Sequence, residues 1–354
     1  MHYDKYGVDF MLNGKHLRQA SMSATLIVAT LPFFAQADDL RARLQRTSAL
    51  MSLGAVDAKP WHLSLAVTTF ADDGSHPNQG TIEMWKSGDN SREVFTFGGK
   101  TVTRIQVAKS IYWSGDTASL PYRATELLSQ VLQPGPSQED LKYGTPVVRP
   151  QKFGKVPLDC IMLSEPVKDV DKVPLGLFPT FCLTPDTDIV RSSSNFASRT
   201  VIINGLGTFL DHKVPIQLDI LSHAATVANA KVTKLATYTP DPDQFSPPAD
   251  AKPVGANGVR VAGGVIAGNI LSKVPPVYPI SAKQNHISGT VVLKAIIGRD
   301  GHVYGLHPVS SPDADLSLSA IYAVSQWIYK PYLLNGEPTE VDTTITVNFN
   351  LIGF

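Results

Sequence analysis

Apolar and polar residues alternate with a period of two along most of this chain, and that pattern restricts it to antiparallel sheet more firmly than any other feature. After Pro60 the segments WHLSLAVTTF, GTIEMWKSG, SREVFTFGG, KTVTRIQVAKS and IYWSGD follow one another, separated by Gly, Asn, Asp and Ser clusters that turn the chain. They are rich in Val, Thr, Phe, Tyr and Trp, and the charges at Glu83, Lys86, Arg92 and Glu93 leave one face wet. Further short strands follow Gly154: VPLDCIMLS, FPTFCLTP, DIVRSSS, RTVIINGLGTFL, KVPIQLDIL and AKVTKLATY. Helical spacing marks Leu40, Leu44, Ala49 and Leu50 before Gly54, and the segment YRATELLSQVL after Leu120. Residues 38–245 therefore form one highly curved antiparallel sheet with helices across its concave side.

The first residues set the compartment. Lys15 and Arg18 precede the apolar run Met22 to Phe34, and Ala35-Gln36-Ala37 then offers small residues to a signal peptidase. Residues 1–37 are expected to be an export signal, cleaved near Ala37, that delivers the chain to the periplasm. The alternative is an uncleaved inner-membrane anchor, against which stand the shortness of the run and Pro32. In an oxidising compartment Cys160 and Cys182 are expected to be bridged, which stabilises by about 3 kcal/mol on the chain-entropy model. With 31 basic and 31 acidic side chains there is no net field for nucleic acid or an anionic membrane.

From Thr239 to Gly264 the composition turns to Pro, Gly, Asp and Ala, which places a linker at 246–269. Clean periodicities return in 270–354. Val291, Leu293, Ala295 and Ile297 mark a strand that Arg299-Asp300-Gly301 folds back into a second, His302 to Val309. Leu316, Ala320, Ala323, Val324 and Trp327 fall on one helical face, with Ser311 or Asp313 as cap and Lys330-Pro331 as stop. Asn335-Gly336 turns the chain into a last strand, Val341 to Phe349. The fold class is α+β: a half-barrel-like sheet domain followed by a small domain of three antiparallel strands with helices.

That last run resembles the TonB C-terminal domain family. The matching pieces are Val277-Tyr278-Pro279 at the start, Gly289-Thr290-Val291-Val292, Asp300-Gly301, then Ala320, Ala323 and Trp327 on the helix. Tyr329-Lys330-Pro331, Asn335-Gly336-Glu337-Pro338 and Val347-Asn348-Phe349 complete the match in order and spacing. The resemblance implies a non-enzymatic envelope protein that binds an extended segment of an outer-membrane transporter, or of another envelope protein, by strand addition. Its binding residues would be Tyr278, Pro279 and the final strand Thr343, Thr344, Ile345, Thr346, Val347, Asn348 and Phe349. Tyr278 has a second reading, in which it only fixes how the chain enters the domain. The sequence departs from the energy-coupling pattern in having no long Pro/Lys/Glu spacer and no convincing retained anchor, so force transmission from the inner membrane is not implied.

The order of a helix, WHLSLAVTTF, GTIEMWKSGDNSREVFTFGG and KSIYWSGD, ending in VPIQLDIL, is similar to the periplasmic lipoprotein-carrier fold, an open half-barrel that shelters acyl chains. On that alternative the N-terminal domain carries a lipid or lipoprotein, and Trp85, Phe95, Phe97, Tyr112 and Trp113 either line an acyl groove or fill the core. No HExxH, GxSxG, GxxxxGK[ST] or CxxC spacing occurs, and the nine histidines are scattered. Neither catalysis, a metal nor a cofactor is expected.

Overall fold

The structure, a computed structural model, describes residues 33–351 apart from 56–58, 72, 165–172, 174, 196–198, 223–224, 255–258, 261–268, 300 and 335–336. The expected export segment up to residue 32, Asp300 and the Asn335-Gly336 turn lie outside the described residues. Helix α1 (Phe33–Met51) leads into β1 (Trp61–Thr69), β2 (Asn78–Ser87), β3 (Asn90–Phe97), β4 (Lys100–Val107) and β5 (Ser110–Ser114), followed by α2 (Tyr122–Leu132). Then come β6 (Thr145–Phe153), β7 (Val156–Ser164), β8 (Thr180–Leu183), β9 (Val190–Asn195), β10 (Arg199–Phe209), β11 (His212–Ser222), β12 (Ala225–Thr237) and β13 (Lys252–Val254). These make one 13-stranded sheet in the order β13-β5-β4-β3-β2-β1-β12-β11-β10-β9-β8-β7-β6.

Both helices lie on one face of this sheet. Ala124, Leu127, Leu128 and Val131 of α2 share a buried cluster with Trp61, Leu63, Leu65, Ile82 and Phe95. Leu40, Leu44 and Met51 of α1 pack on Ile161, Leu163, Phe181 and Leu183. Each such side chain contributes roughly 1.5 to 3 kcal/mol. Arg43 of α1 adds a hydrogen-bonded ion pair to Asp159 on β7 at 2.9 Å. α1 begins at Phe33, ahead of the expected cleavage position. Cys160 and Cys182 stand directly opposite each other on β7 and β8 and are bonded.

One local expectation is corrected. Glu93 belongs to the inner face of β3 and is 5% exposed, not among the wet charges. Its neighbour across the hairpin, Arg104 on β4, meets it at 2.6 Å, and that partner makes an inward carboxylate tolerable. Burial nevertheless holds the Glu93 carboxyl above the usual carboxylate range, against the pull of Arg104 and Lys86. Within the stretch expected to be linker, Lys252–Val254 pairs with β5 as β13. It covers what would otherwise be an open edge, and proline, here Pro253, is tolerated on edge strands.

The C-terminal part contains β14 (Val259–Arg260), β15 (Ile270–Ser272), α3 (Ile280–Gln284), β16 (Gly289–Ile297), β17 (Val303–Ser310), α4 (Ala314–Val324), β18 (Ile328–Tyr329), β19 (Tyr332–Leu334), β20 (Glu337–Thr339) and β21 (Val341–Phe349). Asp313 caps α4, its carboxylate accepting from the Asp315 and Leu316 N–H groups at 2.8 and 3.4 Å. The helix ends at Val324, so Trp327 lies beyond it and not on its face as expected. Its indole N–H donates to the Val274 carbonyl at 2.7 Å, and that bond seats the ring between the incoming chain and the helix end.

The small domain touches both ends of the large sheet. The Arg299 guanidinium lies 4.0 Å over the ring of Trp113 on β5, while the domain's apolar core runs on into Met162 of β7 and Phe178. One domain of this size can reach both only because the sheet is bent round. Tyr122 and His302 stack between them at 4.7 Å, and Lys294 pairs with Glu139 at 3.5 Å. His307, half-buried beside Glu139, Asp140 and Lys294, is held below the ordinary histidine value of 6.5 chiefly by burial. A histidine with a lowered folded value costs nothing above 6.5 and destabilises as the pH falls below it, because the unfolded chain takes up the proton first. His307→Gln is therefore expected to flatten the loss of stability between about pH 7 and about pH 5, read from urea midpoints at each pH.

Candidate functional site

The final strand and its neighbours form a four-stranded sheet in the order β14-β21-β16-β17. Three strands were expected. The fourth, Val259–Arg260, runs parallel to β21 and, among the described residues, meets Val341 and Asp342. From Thr343 to Phe349, β21 pairs with β16 on one side and, among the described residues, with no strand on the other.

Which backbone groups face that open side follows from the register. Gly298 N–H donates to the His302 carbonyl across the β16–β17 hairpin at 2.8 Å. In an antiparallel ladder a residue's N–H and C=O point the same way and the direction alternates along the strand. Even-numbered residues of β16 thus face β17, and odd-numbered ones face β21. Val291, Leu293 and Ala295 lie opposite Val347, Ile345 and Thr343 in an unbroken register, so these three point their backbone inward. Thr344, Thr346 and Asn348 point theirs outward.

Side chains alternate in step. Thr343, Ile345, Val347 and Phe349 are buried beneath α4, and Thr344, Thr346 and Asn348 are exposed. The Thr290 hydroxyl donates to the Asn348 side-chain oxygen at 2.9 Å, joining the two strands at the far end. The edge is therefore a row of outward N–H and C=O groups on a strand anchored by its other face.

Tyr278 and Pro279 are brought to one end of this row. The Tyr278 ring meets Phe349 edge-on at 5.5 Å, and its hydroxyl donates to the Ile287 carbonyl at 2.6 Å. Both contacts are internal and hold the incoming chain on the sheet. Pro279 starts α3, whose first residue Ile280 is exposed. It lines an apolar groove of about 380 Å³ with Val277, Leu318 and Tyr322.

A second concavity escaped sequence reasoning. Glu93, Arg104 and Trp113 stand side by side on β3, β4 and β5, facing α2 across a cleft of about 580 Å³. Glu126 of α2 is paired with Arg199 on the other wall, and Glu340 closes the rim from the small domain. Of the aromatics considered for an acyl groove, Phe95 and Phe97 are in the core, and Trp85 stacks on His62 at 4.6 Å. Of that set Trp113 lines the cleft, where charged groups alternate with Tyr122, Leu128 and Leu132. Among the described residues, no group of three or more His, Cys, Asp or Glu side chains could hold a metal ion, and no helix is long and apolar enough to cross a membrane.

Residues 274–351 match the family described as Gram-negative bacterial TonB protein C-terminal. A relative, Protein TonB of Vibrio cholerae serotype O1, is 31% identical over 85 residues, which are 24% of this chain and 35% of that protein. The similarity to TonB thus covers little more than a third of the relative's length. Among solved structures, a LolA superfamily protein from Nitrosomonas europaea matches with 7% identity and a TM-score of 0.39, over 58% of this chain and 97% of its own. A DUF1329 family protein from Desulfovibrio piger matches with 7% identity and a TM-score of 0.39, over 60% and 95%.

Proposed function

We propose that this chain is an exported, non-enzymatic envelope protein whose C-terminal domain binds an extended segment of an outer-membrane transport partner by strand addition on β21. The observation that carries the reading is the open edge from Thr343 to Phe349, beside which no described strand lies. An added strand would satisfy the outward groups of Thr344, Thr346 and Asn348 while the exposed side chains of those residues flank it. Backbone pairing supplies affinity without demanding one sequence, which suits a domain that serves short partner segments. The chain works from the periplasm, and its large sheet domain, 38–245, positions the small one, 270–354, through the junction at 246–269. Limited proteolysis between Thr239 and Gly264 tests that division.

Arg104, Glu126 and Arg199 on the walls of the cleft beneath the large sheet speak against an acyl-chain cargo there, since what remains exposed of them would have to be desolvated against hydrocarbon. Photo-crosslinking in the cell envelope tests the binding reading. A crosslinker at Thr344, Thr346 or Asn348 is expected to capture an outer-membrane protein, and one at exposed Thr101 on β4 is not. Equal capture from all four positions would remove the edge as the binding site.

A further inference from the structure

The hairpin joining β6 and β7 projects beyond the sheet. Its ladder runs from Thr145 opposite Ser164 out to Phe153 opposite Val156, but β8 pairs with β7 only over Asp159–Met162. On the other side β6 is the edge of the sheet. Among the described residues, the last three pairs have no third strand beside them, a reach of about 10 Å at the rise of an extended strand. Every residue from Pro150 to Pro157 is exposed.

What the tip displays is unusual for a free hairpin. Phe153 and Val156 face each other across the ladder and are both 52% exposed. Exposed Lys152 and Lys155 flank them, and no Asp or Glu occurs between Pro146 and Leu158. The tip is also braced. Leu158 and Cys160, on the same face of β7 as Val156, form a buried cluster with Cys182 and Leu175, and the bond to Cys182 ties β7 to β8 just below the overhang.

We propose that this hairpin is a membrane-docking tip for an anionic lipid bilayer, with Phe153 and Val156 entering the interface and Lys152 and Lys155 meeting the headgroups. Two apolar side chains at the end of a stiff, narrow projection give a protein partner little surface, whereas a bilayer asks only for a point of insertion ringed by cations. The overall charge of +0 does not oppose this, because the relevant field is local and falls off within about 10 Å. Docking by this tip would hold the large domain at a lipid surface independently of the β21 edge.

The test is co-sedimentation of the full chain with vesicles of phosphatidylethanolamine and phosphatidylglycerol, and with phosphatidylcholine vesicles as the uncharged comparison. The wild type is expected to bind the phosphatidylglycerol vesicles, and Phe153→Ser with Val156→Ser to lower the partition coefficient about tenfold. Lys152→Gln with Lys155→Gln should lower it about tenfold as well and remove most of its salt dependence. Both lysines are exposed, so that pair of substitutions carries the test if the apolar pair disturbs the fold. In the Phe153→Trp variant, an emission shift to the blue on adding vesicles is expected. Equal partitioning of wild type and variants would overturn the proposal, because any binding would then come from elsewhere in the chain. Capture of an envelope protein through the hairpin without vesicle binding would also overturn it.

Discussion

Gly301→Ala is expected to destabilise the C-terminal domain by on the order of 3 to 5 kcal/mol. Gly301 sits in the β16–β17 turn at φ +86, and a Cβ there would lie 1.8 Å from the Tyr329 carbonyl oxygen. The backbone cannot retreat easily. Gly301 N–H donates to Gly298 at 3.0 Å, and the Tyr329 N–H donates to the Gly301 carbonyl at 2.9 Å. Tyr329 is itself buried in the domain core, its hydroxyl pushed up to about 12 by that burial. Gly88→Ala, in a turn of the large sheet at φ +53 with nothing within 4 Å of its Cβ, is the control and should cost only about 1 kcal/mol. Urea denaturation of both variants checks the difference. Equal, small losses would mean that the hairpin does not pack on β18 as described.

The second large effect divides β21 by register. Proline removes one backbone N–H, so at Ile345 or Val347 it breaks the ladder to β16 and displaces a buried side chain, and the domain should unfold. At Thr344 or Thr346 the lost N–H is an outward one, and the side chain replaced is exposed. Those variants should fold and lose about 1 to 3 kcal/mol of partner binding, the cost of leaving one backbone group of the partner unsatisfied.

Much of this frame was legible from local pattern. The segment YRATELLSQVL is α2 residue for residue, and the alternation from Val341 to Phe349 puts Thr343, Ile345, Val347 and Phe349 on one face of β21, the buried one. Asp313 was one of two cap candidates and is the one used. The pairing of Glu93 with Arg104 was present in the sequence too. The Gly98-Gly99 turn sets Phe97 opposite Lys100, and counting back along both strands brings 93 opposite 104. Charge alone puts Glu93 on the wet face, and the register with Arg104 puts it inside. By contrast, Trp327 leaves the helical stripe because of a carbonyl 53 residues away, and β14 and β13 form on edges that only the assembled sheets create. Contacts between distant segments carry no local periodicity. The cleft and the braced hairpin belong to the same class, since both depend on where strands stop pairing.

The most direct measurement is the affinity of the full chain carrying Thr346→Pro for detergent-solubilised outer-membrane proteins captured by the wild type, alongside Ile345→Pro and a thermal melt of each variant. The strand-addition account predicts that Thr346→Pro melts like the wild type and binds at least about fivefold more weakly, while Ile345→Pro loses the melting transition of the C-terminal domain. A folded Thr346→Pro variant that binds with unchanged affinity would contradict it.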